Sequence, residues 1–231
     1  MSKSKIPLTD KGFPRDAWRL LSPKLTDGRR EKMFEVASKR TDHIRLIAEN
    51  IYDPHNVSAC LRSAEALGVL NIDFVNTYQE FARPTTVSKG SYNWLDLHRH
   101  DDIKKTADAL HEKGYMIAAG YPHPDCMKLD EIPVDKPVAV LFGNEHQGVS
   151  ADWDEYVDYK FTIPMVGMVE SLNISVSAAL SMYELTKNSQ KLLGDEKYQL
   201  SPERREEILS NWVCRHSRNY ELELERLREE K

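Results

Sequence analysis

The chain has 231 residues, 40 % of them hydrophobic and 30 % charged, with a formal net charge of −5. That length suits one domain with short appendages, and no apolar run approaches the roughly 20 residues a helix needs to cross a bilayer. Three cysteines, Cys60, Cys126 and Cys214, are odd in number and form no Cys-x-x-Cys pair; this argues against a disulfide framework or a zinc site and for a reducing, cytoplasmic setting.

In chain order, Met1 to Thr9 has lysines with no apolar core behind them, so no secretory signal is expected. Residues 1–26, with Pro7, Pro14 and Pro23, read as an irregular arm. From Gly28 to Arg40, Met33, Phe34 and Ala37 recur at helical spacing among many charges, which predicts a basic amphipathic helix. Residues 1–50 hold 12 Lys/Arg against 7 Asp/Glu, whereas 51–200 hold 13 against 22, so positive charge gathers at the N-terminal end. Cations in such a patch could meet phosphates, although the same pattern serves a solvated helix.

A first strand is expected over His43–Asn50, a helix over His55–Leu67 closed by Gly68, and a second strand over Val69–Val75. Residues 76–100 read as a long loop with a short strand over Trp94–His98. A helix over Asp101–Lys113, a strand over Tyr115–Ala119 and a continuous apolar strand over Pro137–Phe142 follow. A short helix is expected over Ser150–Tyr156, a short strand over Lys160–Ile163 and a long helix over Leu172–Leu193. This alternation predicts an α/β fold, a parallel sheet with helices on both faces. Beyond Gly194, Ser201 and Pro202 stand where an N-cap and first helical residue belong, and Ile208, Leu209, Trp212 and Val213 form an apolar stripe. The boundaries so drawn are an N-terminal arm and basic helix over 1–42, a central domain over 43–193 and a helical extension over 194–231.

Three stretches carry chemistry. In Asp53-Pro-His-Asn-Val-Ser-Ala-Cys-Leu-Arg62, Val57, Leu61 and Ala64 share one helix face. Arg62 falls about 140° from Val57, on the polar side. Asn56 lies near the helix start, where free N–H groups and an arginine could hold a phosphate. A surface arginine and a capping asparagine would give the same pattern. In Phe142-Gly-Asn-Glu-His-Gln-Gly148, a buried strand runs into a glycine-bounded turn carrying Glu145, at the strand end where open α/β sheets bind ligands. It is neither a Walker loop nor a Gly-x-Gly-x-x-Gly fingerprint. In Ile163-Pro-Met-Val-Gly-Met-Val-Glu-Ser171-Leu-Asn173, an apolar loop leads into a helix of small residues; exposed methionines there call for a covering partner.

Together, in this order and spacing, these stretches resemble the three motifs of the SPOUT 2′-O-ribose methyltransferases, nearest to the TrmH group that methylates guanosine 18 of tRNA. The likeness runs from about Leu25 to Lys191, with Ser91-Tyr-Asn-Trp94 fitting an intermediate segment. It implies a sheet whose C-terminal part is threaded into a deep trefoil knot, a homodimer with the active site near its interface, and S-adenosylmethionine (AdoMet) bound among the loops at Gly120, Gly143, Ile163 and Leu172. It implies site roles for Arg62, Asn56, Glu145, Ser171 and Asn173, and RNA contacts at His55. Arg29, Arg30, Lys32, Lys187 and Lys191 are the further RNA-binding candidates; no metal-ligand cluster is seen. Asn93 stands where some relatives carry a lysine, which counts against a phosphate contact there, and Gly120 where relatives often carry a polar side chain, so only the Gly120 backbone could serve the cofactor. Three other readings stand beside this one: the same chemistry on ribosomal RNA, a non-catalytic RNA-binding relative, and a nucleotide-dependent oxidoreductase. The intact Asn56, Arg62, Glu145 and Asn173 oppose the second, and the missing glycine fingerprint opposes the third.

Overall fold

A computed structural model describes residues 12–77 and 90–230. The chain divides into two compact units, one spanning 41–198 and one formed by 12–40 together with 199–230. The two ends, drawn from the sequence as separate extensions, thus belong to a single unit.

The larger unit is built on seven strands: β1 (Thr41–Glu49), β2 (Val69–Val75), β3 (Asp96–His100), β4 (Met116–Gly120), β5 (Met127–Lys128), β6 (Val138–Phe142) and β7 (Tyr159–Thr162). Their order is β3-β2-β1-β6-β4-β7-β5, and every pairing is parallel. Side chains alternate across each strand, so both faces must be covered. On one face, Leu46, Val138, Val140 and Phe142 pack with Val57 and Leu61 of helix α3 (Pro54–Ala66) and with Ala178, Met182 and Leu185 of helix α5 (Ile174–Leu193). On the other, Ile47, Ala139 and Leu141 pack with Ala107 and Leu110 of helix α4 (Ile103–Glu112) and with Trp153. The expected α/β sheet with helices on both faces is therefore present.

Local chemistry fixes the helix ends. Asp53 caps α3, its carboxylate accepting from the His55 N–H at 2.8 Å, with Pro54 in the first turn. Asp102 caps α4 from the Lys105 N–H at 3.0 Å, and Ile103, Thr106, Ala107 and Leu110 form its buried stripe.

Several expectations need correction. The helix expected over 150–156 is only a 3-10 turn, Ala151–Trp153, anchored by the fully buried Trp153. Trp94 belongs to a 3-10 turn, Ser91–Trp94, and the strand starts at Asp96; the rest of the loop expected there lies partly outside the described residues. β5 has two residues, too few for any periodic signal.

A buried polar network lies beneath β1, β2 and β3. Asp73, 1 % exposed, receives both Nε and Nη2 of Arg45 and sits 2.7 Å from His100 Nε2. Burial alone would raise its carboxyl, but His100 and Arg45 outweigh that and hold it at about 2. Asn71 bridges His98 (3.1 Å) and Asp42 (2.6 Å).

In the terminal unit, the arm expected to be irregular contains helix α1 (Ala17–Leu21), followed by α2 (Asp27–Ala37); α6 (Asp195–Tyr198) closes the larger unit, and α7 (Pro202–His216) and α8 (Tyr220–Glu229) complete the chain. Ser201 caps α7 as its sequence predicts, accepting from the Arg204 N–H at 3.2 Å. α1 packs on α7 and α8, and α2 on α7. Ser210 ties α1 down, accepting from the Trp18 N–H at 3.0 Å and donating to the Arg15 carbonyl at 2.9 Å. Asp16 forms a two-pronged pair with Arg228 at 3.1 and 2.6 Å. Met33 and Ala37 of α2 are buried, but Phe34 is 48 % exposed, so the apolar stripe is narrower than the spacing suggested.

Candidate active site

The carboxyl ends of β4, β6 and β7 open onto one cavity of about 550 Å³. Gly120, Gly143, Glu145, Ile163, Ser171, Leu172 and Asn173, drawn from stretches far apart in sequence, all line it. Among residues that sequence reasoning did not single out for the site, Tyr121, Phe142, Phe161 and Met165 also form its wall.

The loop after β6 is closed by its own hydrogen bonds. Asn144 and Gly148 exchange backbone bonds at 3.0 and 2.8 Å, and Gly148 takes φ +71°, a conformation glycine adopts without strain. A Cβ on Gly143 would lie 2.0 Å from the Gly148 oxygen, so glycine is required for the loop to fold back. The buried Asn144 side chain donates to the Asn50 carbonyl at 3.0 Å and accepts from the N–H groups of His146 and Gln147 at 2.7 and 3.2 Å. At the far end of the loop, Ser150 donates its N–H (2.9 Å) and hydroxyl (2.5 Å) to the carboxylate of Glu49, which is 1 % exposed. Glu49 and Asn50 thus clamp the loop to the end of β1. Sequence reasoning missed both, because nothing in a strand's last two residues announces partners about 100 positions away.

This clamped loop presents Glu145. Its Oε1 accepts from Asn56 Nδ2 at 2.9 Å and its Oε2 from the Tyr52 N–H at 3.4 Å. Asn56 Oδ1 in turn accepts from Asn173 Nδ2 at 3.1 Å. Asn173 is the N-cap of α5, its Oδ1 accepting from the Ser175 N–H and hydroxyl at 2.8 and 2.6 Å. One chain of side-chain bonds therefore joins all three sequence stretches. Cys60, one turn beyond Asn56 on α3, is no nucleophile; burial pushes its thiol up to about 12, with the Glu145 charge adding to the effect.

The structure does not bring every candidate to the cavity. Arg62 is exposed on α3 and forms no part of the wall, and His55 is exposed at the start of that helix. Lys187 and Lys191 are exposed in the last turns of α5. Arg29, Arg30 and Lys32 lie on α2, where Arg30 pairs with Asp27 at 2.9 Å and Lys32 with Glu35 at 3.1 Å. Among the described residues no group of three His, Cys, Asp or Glu side chains could hold a metal ion.

Gly120 packs its bare Cα against Phe142, whose ring a Cβ would meet at 2.6 Å. Next to it, Tyr121 lies under Lys160, whose Nζ is 5.1 Å from the ring centroid and 2.6 Å from Asp154. Burial raises the Tyr121 hydroxyl above its ordinary value, with Lys160 opposing.

Comparison with known proteins places the chain among the methyltransferases. The chain is 35 % identical over 188 residues to a tRNA (guanosine(18)-2′-O)-methyltransferase of Thermus thermophilus, an alignment covering 81 % of this chain and 97 % of the relative. The structure of the A. aeolicus TrmH/SpoU tRNA modifying enzyme superposes with a TM-score of 0.74 at 29 % identity, over 81 % of this chain and 96 % of the other. The SpoU methyltransferase AviRb from Streptomyces viridochromogenes, solved in complex with the cofactor AdoMet, superposes with a TM-score of 0.59 at 26 % identity, over 67 % and 63 %. Residues 43–183 match the SpoU rRNA methylase family, and the chain belongs to it.

Proposed function

We propose that this protein transfers a methyl group from AdoMet to a ribose 2′-hydroxyl of tRNA, at guanosine 18. The carrying observation is the bonded chain Glu145–Asn56–Asn173 beside a cavity lined by backbone-exposing glycines and apolar side chains. Support for the substrate comes from the relative named for that nucleotide, aligned over nearly its whole length.

The cavity fits AdoMet. Its volume suits a nucleoside joined to an amino acid, Phe142, Phe161 and Ile163 offer an apolar bed for a flat ring, and the bare backbone at Gly120 and Gly143 allows close approach. When bound, AdoMet supplies an already activated methyl on a positive sulfur. The chain's own residues then have mainly to position. Glu145, held by Asn56 and by the Tyr52 N–H, fixes the lip of the cavity against α3. Asn173 sets the start of α5 relative to the same point. Arg62, exposed on α3 outside the cavity wall, carries a guanidinium that stays protonated and would meet the 2′-oxygen only when the RNA is seated over that helix. In-line placement of hydroxyl and methyl is what such positioning would contribute to the rate.

A trefoil knot is part of this reading. It is supported by the strand order: β7 fills the place between β4 and β5, which the chain has already bridged at 121–126, before α5 turns back to α3 and β1. A homodimer is part of it too. Val176, Leu180 and Tyr183 recur at i, i+4 and i+7 on α5 and are 45, 43 and 54 % exposed, beside the fully exposed Val166 and Met168. No helix among the described residues is long and apolar enough to cross a membrane. The tRNA substrate of this reading supports a cytoplasmic location. RNA contacts fall to His55, Arg29, Arg30, Lys32, Lys187 and Lys191. Ribosomal RNA is the second reading, favoured by the description of the matching family.

The test is transfer from labelled AdoMet to an unmodified tRNA transcript and to one carrying 2′-deoxyguanosine at position 18. Transfer that vanishes on the deoxy transcript is expected. Transfer that survives moves the target elsewhere, and none at all with AdoMet bound removes tRNA as the substrate.

A further inference from the structure

The terminal unit has a cavity of its own, a groove of about 600 Å³ lined by Trp18 of α1 and by residues from Arg30 of α2 to Lys39 just beyond it. Two aromatic side chains line it, Trp18 and Phe34. Phe34 is 48 % exposed, although Met33 beside it is buried at 3 %. Arg205 from α7 lays its guanidinium 5.0 Å from the Phe34 ring centroid and reaches Ser38 Oγ at 3.5 Å, so the ring is held from one side and still half open. Trp18 is held by its backbone bond to Ser210.

The charges around the groove restrict what it accepts. Arg30 and Lys39 stand in its wall, and so do Glu31 and Glu35. Lys32 and Lys39 grip Glu35 at 3.1 and 2.7 Å, so its charge is balanced where it stands. A phosphate seated on the aromatic floor would face two carboxylates. A neutral flat ring would not, and its flanking phosphates could exchange for Asp27 on Arg30 and for Glu35 on Lys39, exposed pairs that now stand at 2.9 and 2.7 Å. A planar neutral group within a polyanionic strand is a nucleobase, and stacking on aromatic rings beside cations is how unpaired bases are held.

We propose that the Trp18–Phe34 groove is a stacking site for an unpaired base of the RNA substrate, outside the methyl-transfer cavity. This rests on the RNA reading above. It assigns Arg30 on α2 and Lys39 just beyond it to flanking phosphates and the open Phe34 ring to the base between them.

The full-length protein in a Trp94→Phe background reports the event directly. Trp153 and Trp212 are 0 and 1 % exposed, so tryptophan quenching by a short single-stranded oligoadenylate reads Trp18. Saturable quenching is expected. Phe34→Leu keeps the apolar bulk without the π-face and should weaken oligoadenylate binding about 10-fold, whereas Phe34→Tyr should bind as the parent does. KM for tRNA should rise by a similar factor in Phe34→Leu, with AdoMet affinity and kcat unchanged. Arg30→Gln with Lys39→Gln, which gives up only two solvent-accessible ion pairs, should flatten the salt dependence of the same binding. Oligoadenylate binding unaltered in Phe34→Leu overturns the proposal, as does quenching that follows protein concentration without RNA, which gives the groove to a second copy. The two readings fail separately. A wild-type protein that methylates tRNA while Phe34→Leu is indistinguishable from it sinks the groove alone. One that methylates no RNA yet binds oligoadenylate through Phe34 sinks the substrate reading alone.

Discussion

Asn56 Nδ2 lies 2.9 Å from Glu145 Oε1, so a neutral amide on the first turn of α3 holds a carboxylate from a loop 89 residues further along the chain. Asn56→Ala would free Glu145 and remove the acceptor of Asn173 at once. Turnover should fall by roughly 100-fold, since a displacement of about 1 Å at a positioned group has that effect. AdoMet affinity, measured by calorimetry, should change much less, because Asn56 does not line the cavity. A loss confined to AdoMet binding would contradict the assigned role.

Gly143 and Gly120 should respond differently to the same added methyl. At Gly143 the new Cβ meets the backbone of Gly148 at 2.0 Å, which cannot yield without opening the loop. At Gly120 it meets the edge of the Phe142 ring, a side chain able to turn. Gly143→Ala is expected to abolish AdoMet binding. Gly120→Ala should bind more weakly and lose about 1–3 kcal/mol of stability in urea unfolding. The reverse ranking would refute the close-approach argument.

Arg62→Lys retains the charge and discards the planar fork. With Arg62 outside the cavity wall, AdoMet affinity should be unchanged while kcat on tRNA falls at least roughly 10-fold, as for loss of a charge-stabilising donor. Wild-type turnover in this variant would remove any specific role for the guanidinium.

The Asp73 carboxyl, held at about 2 against an ordinary 3.8, contributes stability that is fully present above about pH 4 and is lost as pH falls toward 2. The His98 imidazole is depressed, first by burial, so the folded state favours its neutral form and loses stability as pH drops below the ordinary histidine value. Asp73→Asn leaves Arg45 buried without its counter-charge and should destabilise by about 3–5 kcal/mol. It should also remove the steep acid limb of a stability profile between pH 4 and 2. A profile of unchanged shape would show that another carboxyl carries the acid transition.

Much of the site was legible because its residues stand at strand ends and helix starts, positions that local chemistry marks. Asp53-Pro54 and Ser201-Pro202 announce helices, and Gly143 and Gly148 bracket a turn. The grip on that turn was not legible. Glu49 and Asn50 look like the tail of any strand, and their partners Ser150 and Asn144 are set by sheet order, which alternation alone does not determine. Phe34 was misjudged for a related reason: three apolar residues at helical spacing say that a stripe exists, but only the packing of α7 decides which of them it covers.

The position of β7 has a consequence for how the protein assembles. Among the described residues β5 pairs with no strand but β7, and β7 lies between two strands that precede it in the chain. β7 can be seated only where β4 and β5 stand apart to receive it, and its pairing with Gly120 and Tyr121 at the cavity edge depends on that insertion. A ligand of the cavity lined by Gly120, Tyr121, Phe161 and Thr162 binds only a chain in which those strands are paired, so AdoMet should hold the inserted strand in place and raise the stability of the finished molecule.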